Sequence, residues 1–135
     1  MSSGDGSDVC RQTILIIEND SPTRQMYSRA LEQEYGVLVG SIDDDVVTLV
    51  KSHTIYAIVL EPGPIGGGGW ALLADLKHEA HLQTVPIVIC TAQDERRLGI
   101  ELGSTAYLVK PVLPVLLLET VRRLTHPETT QGGHR

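Results

Sequence analysis

The sequence predicts an α/β fold, a doubly wound five-stranded parallel sheet in the order 2-1-3-4-5 with helices on both faces. Two observations lead there. Short apolar runs recur along the chain, TILII at 13–17, VLVGSI at 37–42, YAIVL at 56–60, VPIVIC at 85–90 and AYLV at 106–109. They are rich in β-branched residues and alternate little, which is the pattern of strands buried on both faces, as in a parallel sheet covered by helices. The segments between them carry helical periodicity and short connections, and right-handed crossovers then leave few ways to wind the sheet.

Taking the helices in turn, Ser21 is placed to cap the first and Pro22 to occupy its first turn. Met26, Tyr27, Ala30 and Leu31 fall on one face, and Gly36 is placed to end it. A second helix is expected over 43–52 with Val46, Val47 and Val50 facing inward, and a third over 70–81 with Leu72, Leu73 and Leu76 on one side. The fourth is expected over 94–102 and the fifth over 112–124. The four successive glycines at 66–69 are conformationally permissive and predict a mobile loop or positive φ values. Residues 1–12 and 126–135 lack apolar periodicity and are expected to be disordered tails around one domain at 13–125.

Composition narrows the functional classes. With 135 residues and 41% apolar content, one compact domain is expected. A net charge of -6 without a basic stripe argues against nucleic acid as a partner. The opening MSSGDGSDVCRQ has no apolar run of signal-peptide length, and no stretch approaches the roughly 18 apolar residues of a membrane span, so a cytoplasmic, soluble protein with no membrane partner is expected. Cys10 and Cys90 read as plain thiols. His53, His78, His81, His126 and His134 all fall away from the strand ends, which leaves no Ser-His or metal-His site and predicts a protein that is not an enzyme.

In a doubly wound sheet the functional crevice lies beyond the carboxyl ends of the strands, where the winding reverses. Strand one ends in Glu18, Asn19 and Asp20, strand three in Glu61, strand four in Thr91 and strand five in Lys110 followed by Pro111. Any one of these polar residues is ordinarily just solvated. Carboxylates, a hydroxyl and an ammonium gathered at four of five strand ends form a complementary set.

In that order and at nearly the same spacing, ILIIEND, IVLEPGPIGGGGW, IVICTA and AYLVKP resemble the motifs of response-regulator receiver domains of two-component phosphorelay signalling, over residues 13–124. The resemblance implies a flavodoxin-like receiver fold. It also implies a role for each position: Glu18 and Asn19 match the acidic pair that binds Mg²⁺, and Glu61 matches the phosphoacceptor, ordinarily aspartate. Gly63 matches the residue whose carbonyl ligates the metal, and Thr91 and Lys110 match the hydroxyl and cation that receive the phosphoryl group. Tyr107 matches the aromatic whose rotation reports the active state, and the bond to Pro111 is expected to be cis.

The departures shape the functional expectation. Glu61 carries one more methylene than the family's aspartate, displacing its carboxylate by about 1.5 Å, and misplacement of about 1 Å can cost about two orders of magnitude in rate. Asn19 replaces a carboxylate by a neutral amide, so Mg²⁺ is expected to bind weakly or not at all, with Asp20 as an alternative ligand. The interval from Thr91 to Lys110 is about one turn shorter than the family's, which trims the fourth helix and the surface it lends to partners. The leading expectation is therefore an atypical receiver, a pseudo-receiver, serving as a phosphorylation-independent protein-interaction module. Its partner would be a signalling protein, a histidine kinase or a downstream effector, with a homodimer left open. Within that reading Glu61 either imitates a phosphorylated aspartate or simply pairs with Lys110. The alternatives are a conventional Mg²⁺-dependent switch phosphorylated on Glu61, and a flavodoxin-like binder of a small ligand.

Overall fold

A computed structural model describes residues 11–126. The elements run β1 (Thr13–Ile17), α1 (Ser21–Leu31), β2 (Gly36–Gly40), α2 (Val46–Lys51), β3 (Ile55–Leu60), α3 (Gly68–His78), a 3₁₀ turn (Ala80–Leu82), β4 (Ile87–Thr91), α4 (Arg96–Glu101), β5 (Ala106–Val109) and α5 (Pro114–Thr125). All strand pairs are parallel and the order is β2-β1-β3-β4-β5, as expected.

Alternation along each strand sorts the core into two layers. Leu15, Ile17, Ile58, Leu60, Ile87 and Ile89 face one way and pack with Val46 and Val50 of α2, Trp70, Leu73 and Leu76 of α3, and Tyr107. Ile14, Ile16, Ala57, Val59, Val88 and Cys90 face the other way, against Tyr27 and Leu31 of α1 and Leu117 and Val121 of α5. Each fully buried aliphatic side chain contributes roughly 1.5–3 kcal/mol, so the three central strands, buried almost throughout, carry most of the stabilisation. The second strand is the sheet's edge, and its Val39 is exposed rather than covered on both sides.

Helix boundaries depart from expectation where a local hydrogen bond overrides the apolar pattern. Asp20, not Ser21, caps α1, because its carboxylate accepts from the Thr23 N–H. The helix ends at Glu32, whose N–H reaches the Ser28 carbonyl, and Gly36 instead opens β2. Met26 lies on the exposed side of α1 while Tyr27, Ala30 and Leu31 are buried. Asp45 caps α2 through the Thr48 N–H, which starts that helix three residues later than the apolar pattern suggests. Two of the four successive glycines, Gly68 and Gly69, are already helical, and of the run only Gly66 has a positive φ, 87°.

Arg11 and Gln12, assigned above to the N-terminal tail, are tied to the domain. Arg11 donates to the carbonyls of Gln33 and Tyr35, and the Gln12 carbonyl accepts from the Gly36 N–H. Residues 1–10 and 127–135, with the rest of both expected tails, Cys10 and His134, lie outside the described residues. Among the described residues no helix is long and apolar enough to cross a membrane.

Candidate functional site

Three of the four polar strand ends, those of β1, β3 and β5, meet beyond the carboxyl edge of the sheet, and Lys110 is their centre. Lys110 directly follows β5, its bond to Pro111 is cis as expected, and its ammonium reaches the crevice. There Nζ lies 2.9 Å from Glu18 Oε1 and 2.9 Å from Glu61 Oε1. Glu18 is 3% exposed, so its ionised form depends on partners in place of water. It has two, since Oε2 accepts from the Asp20 N–H at 3.0 Å. The carbonyl of Glu18 accepts from Arg24 of α1 at 2.8 Å, which fixes the turn from below. Burial works to lower the Lys110 pKa, but the hydrogen bonds to Glu61 and Glu18 outweigh it and hold the ammonium above its ordinary value.

Glu61 sits in a loop that is closed on itself. Its Oε2 accepts from the Gly63 N–H at 3.0 Å, and the Gly63 carbonyl accepts from the Trp70 indole Nε1–H at 3.0 Å. Gly63 takes a φ of 75°, in the left-handed region open to glycine. At Gly69 a Cβ would lie 1.9 Å from the Pro62 carbonyl oxygen, so only glycine lets α3 begin that close to the loop.

The remaining predicted residues divide. Asn19 is exposed, and its side chain makes no hydrogen bond among the described residues. Asp20 is committed to Thr23, whose side-chain and backbone hydrogen bonds hold its carboxyl below the usual range. Thr91 is 2% exposed, and its hydroxyl accepts from the Gln93 N–H at 3.4 Å rather than meeting Glu61 or Lys110. Tyr107 is buried: its hydroxyl donates to the Gln93 carbonyl at 2.6 Å and accepts from the Glu95 N–H at 3.0 Å. Burial raises its pKa. Its ring lies over the bare backbone of Gly99, where a Cβ would come within 2.6 Å of Cδ2. Among the described histidines, His53, His78 and His81 bond to helix carbonyls away from this crevice, and His126 follows the end of α5. Cys90 is a buried free thiol whose pKa desolvation pushes up to about 12.

Sequence reasoning missed three residues that shape the site. Trp70 was read as part of a helix, although a buried indole N–H ordinarily finds an acceptor and so signals a nearby carbonyl. Gly99 and Arg24 gave no signal, because their roles depend on how the chain turns between Glu18 and Arg24 and between Gly99 and Tyr107.

A 2-1-3-4-5 parallel sheet with carboxylates after its first and third strands and a lysine before a cis-proline after its fifth defines the receiver class of α/β domain. No family model matches the chain. It is 31% identical over 113 residues to the phosphate regulon transcriptional regulatory protein PhoB of Klebsiella pneumoniae, covering 81% of this chain and 49% of that protein. It is 35% identical over 116 residues to the transcriptional activator protein IrlR of Burkholderia pseudomallei, covering 82% and 49%. Among solved structures it matches the chemotaxis response regulator CheY4 of Vibrio cholerae with a TM-score of 0.75 at 21% identity, covering 84% of this chain and 98% of that one. The chain spans about half the length of the curated relatives it matches. Its fold is that of a receiver domain, and the curated relatives it matches are response regulators.

Proposed function

We propose that this receiver domain is a phosphorylation-independent interaction module that binds a signalling protein, a histidine kinase or a downstream effector, through its surface. The observation that carries the reading is the engagement of Lys110, whose ammonium already holds Glu18 and Glu61 at 2.9 Å each. In a switching receiver that cation is the group that receives an incoming phosphoryl oxygen. Here a third anion would have to compete with two carboxylates for it, and displacement of a partner from a buried pair is costly. Glu61 is likewise turned back on its own loop through Gly63. The Thr91 hydroxyl accepts from the Gln93 N–H and makes no hydrogen bond to Glu61 among the described residues.

The surface reading is supported by the exposed apolar side chains Ile100 on α4, and Leu113, Val115 and Leu116 at the start of α5. Clustered exposed apolar residues are the usual material of protein contacts. The engaged Glu61 also supports an imitation of the phosphorylated state, although a carboxylate brings one negative charge where a phosphoryl group brings nearly two.

The test is incubation of the protein with Mg²⁺ and acetyl phosphate, following intact mass and Trp70 fluorescence together. The module reading expects no mass gain and no saturable fluorescence change. An acid-labile phosphoryl adduct that is absent from Glu61→Gln overturns it in favour of the conventional switch. A protein purified with bound flavin or nucleotide would overturn it in favour of the ligand binder.

A further inference from the structure

We infer that the loop after β3 is held shut by the Trp70 indole at the point where the receiver family places a divalent cation, so that this pocket does not take up Mg²⁺. The inference rests on the functional reading above and deepens it at the level of the metal.

A cation joining these strand ends needs anionic oxygens facing one point and a free loop carbonyl. In this chain each is already engaged. Glu18 presents Oε1 to Lys110 and Oε2 to the Asp20 N–H, and Glu61 presents Oε1 to Lys110 and Oε2 to the Gly63 N–H. The Gly63 carbonyl, matched to the family's metal ligand, accepts from Trp70 Nε1. Asn19, at the second acidic position, is neutral and exposed, and among the described residues no three His, Cys, Asp or Glu side chains gather as a metal set. Mg²⁺ demands near-octahedral oxygen geometry and gives up its water reluctantly. Binding here would have to compete with the lysine's contacts and the indole bond for the same oxygens. The donor set does not fit the metal.

What replaces the cation is built from α3. Gly69, lacking a Cβ, lets the helix begin against the Pro62 carbonyl, and that close approach brings the indole of the next residue to Gly63. The ring itself is anchored in the core, with Trp70 5% exposed. Trp70 is thus a positioning residue, fixing the backbone of the loop that carries Glu61.

The chain has one tryptophan, so its indole N–H gives one resolvable signal in a proton–nitrogen correlation spectrum. Titration of the whole protein with MgCl₂ alone is expected to leave that signal and the Gly63 amide without a saturable shift. Trp70→Phe keeps an aromatic ring in the core and removes the donor. Hydrogen exchange at the Gly63, Gly66 and Gly67 amides should then quicken roughly tenfold, while the amides of Leu73 and Leu76 keep their protection. A saturable Mg²⁺ shift in the wild type overturns the inference, whether or not the variant folds, and so does unchanged loop exchange in a folded variant. Acetyl phosphate treatment of the same samples separates the two readings. An adduct without a Mg²⁺ shift sinks the module and leaves the tie standing, and a Mg²⁺ shift without an adduct does the reverse.

Discussion

Where the strands begin, Arg122 of α5 is bidentate on Glu34, with Nε 3.1 Å from Oε1, and the Tyr35 hydroxyl meets Thr125 Oγ1 at 2.8 Å. Where the strands end, Lys110 bridges Glu18 and Glu61. Both clusters join distant segments by charge, yet they differ in two respects. The side chains of Arg122 and Glu34 are 45% and 39% exposed, one cation to one anion, whereas Glu18 is 3% exposed and two anions share one cation. Water can take over from either partner at the first end. At the second end it cannot, and the arrangement keeps a surplus negative charge that packing alone would not retain. The difference teaches that ion pairing by itself marks no site; burial combined with charge imbalance does.

The contrast is broken most severely by removing the shared cation. Lys110→Met should cost about 2–3 kcal/mol in urea unfolding, because two carboxylates are left facing each other with little water. A loss no larger than that of an exposed lysine substitution would mean the crevice is as solvated as the opposite end. A smaller effect is expected from pH alone. Since the folded pKa of Lys110 lies above its ordinary value of 10.5, its contribution is complete below that value and is lost as pH rises through the raised one. Tyr27, Tyr35 and Tyr107, whose pKa values burial raises, add to the same alkaline loss. Urea midpoints measured on either side of pH 10.5 should therefore fall in the wild type and fall less steeply in Lys110→Met; parallel slopes would remove Lys110 from the account. The smallest effect belongs to Arg122→Ala, whose urea midpoint should be hard to distinguish from that of the wild type at moderate salt. A clear loss there would erase the distinction between the two ends.

The strands and their order were legible because burial on both faces leaves a pattern within each segment. TILII and AYLV match β1 and β5 residue for residue. Helix ends were less legible, since Asp20 and Asp45 choose them through side-chain bonds that compete with apolar periodicity. At the crevice, the gathering of Glu18, Glu61 and Lys110 follows from topology and could be foreseen. Most of what each oxygen bonds could not. Pairing of Glu61 with Lys110 was among the expectations, but that Lys110 would hold the distant Glu18 as well depends on a separation of a few ångströms across the sheet, and that Thr91 would turn to Gln93 and Trp70 to Gly63 depends on loop conformations that residue type does not set.

Tyr107 also bears on the order in which the chain comes together. Helix α4 has six residues, follows an N-cap residue, Glu95, that makes no side-chain capping bond, and has Gly99 within it. Such a short segment does not hold a helical turn alone in water. The hydroxyl that accepts the Glu95 N–H belongs to a residue 12 positions later, on a strand that pairs only with β4. The first turn of α4 is therefore secured by a strand that follows it in the chain, so α4 is expected to gain its stability together with β5 rather than alone.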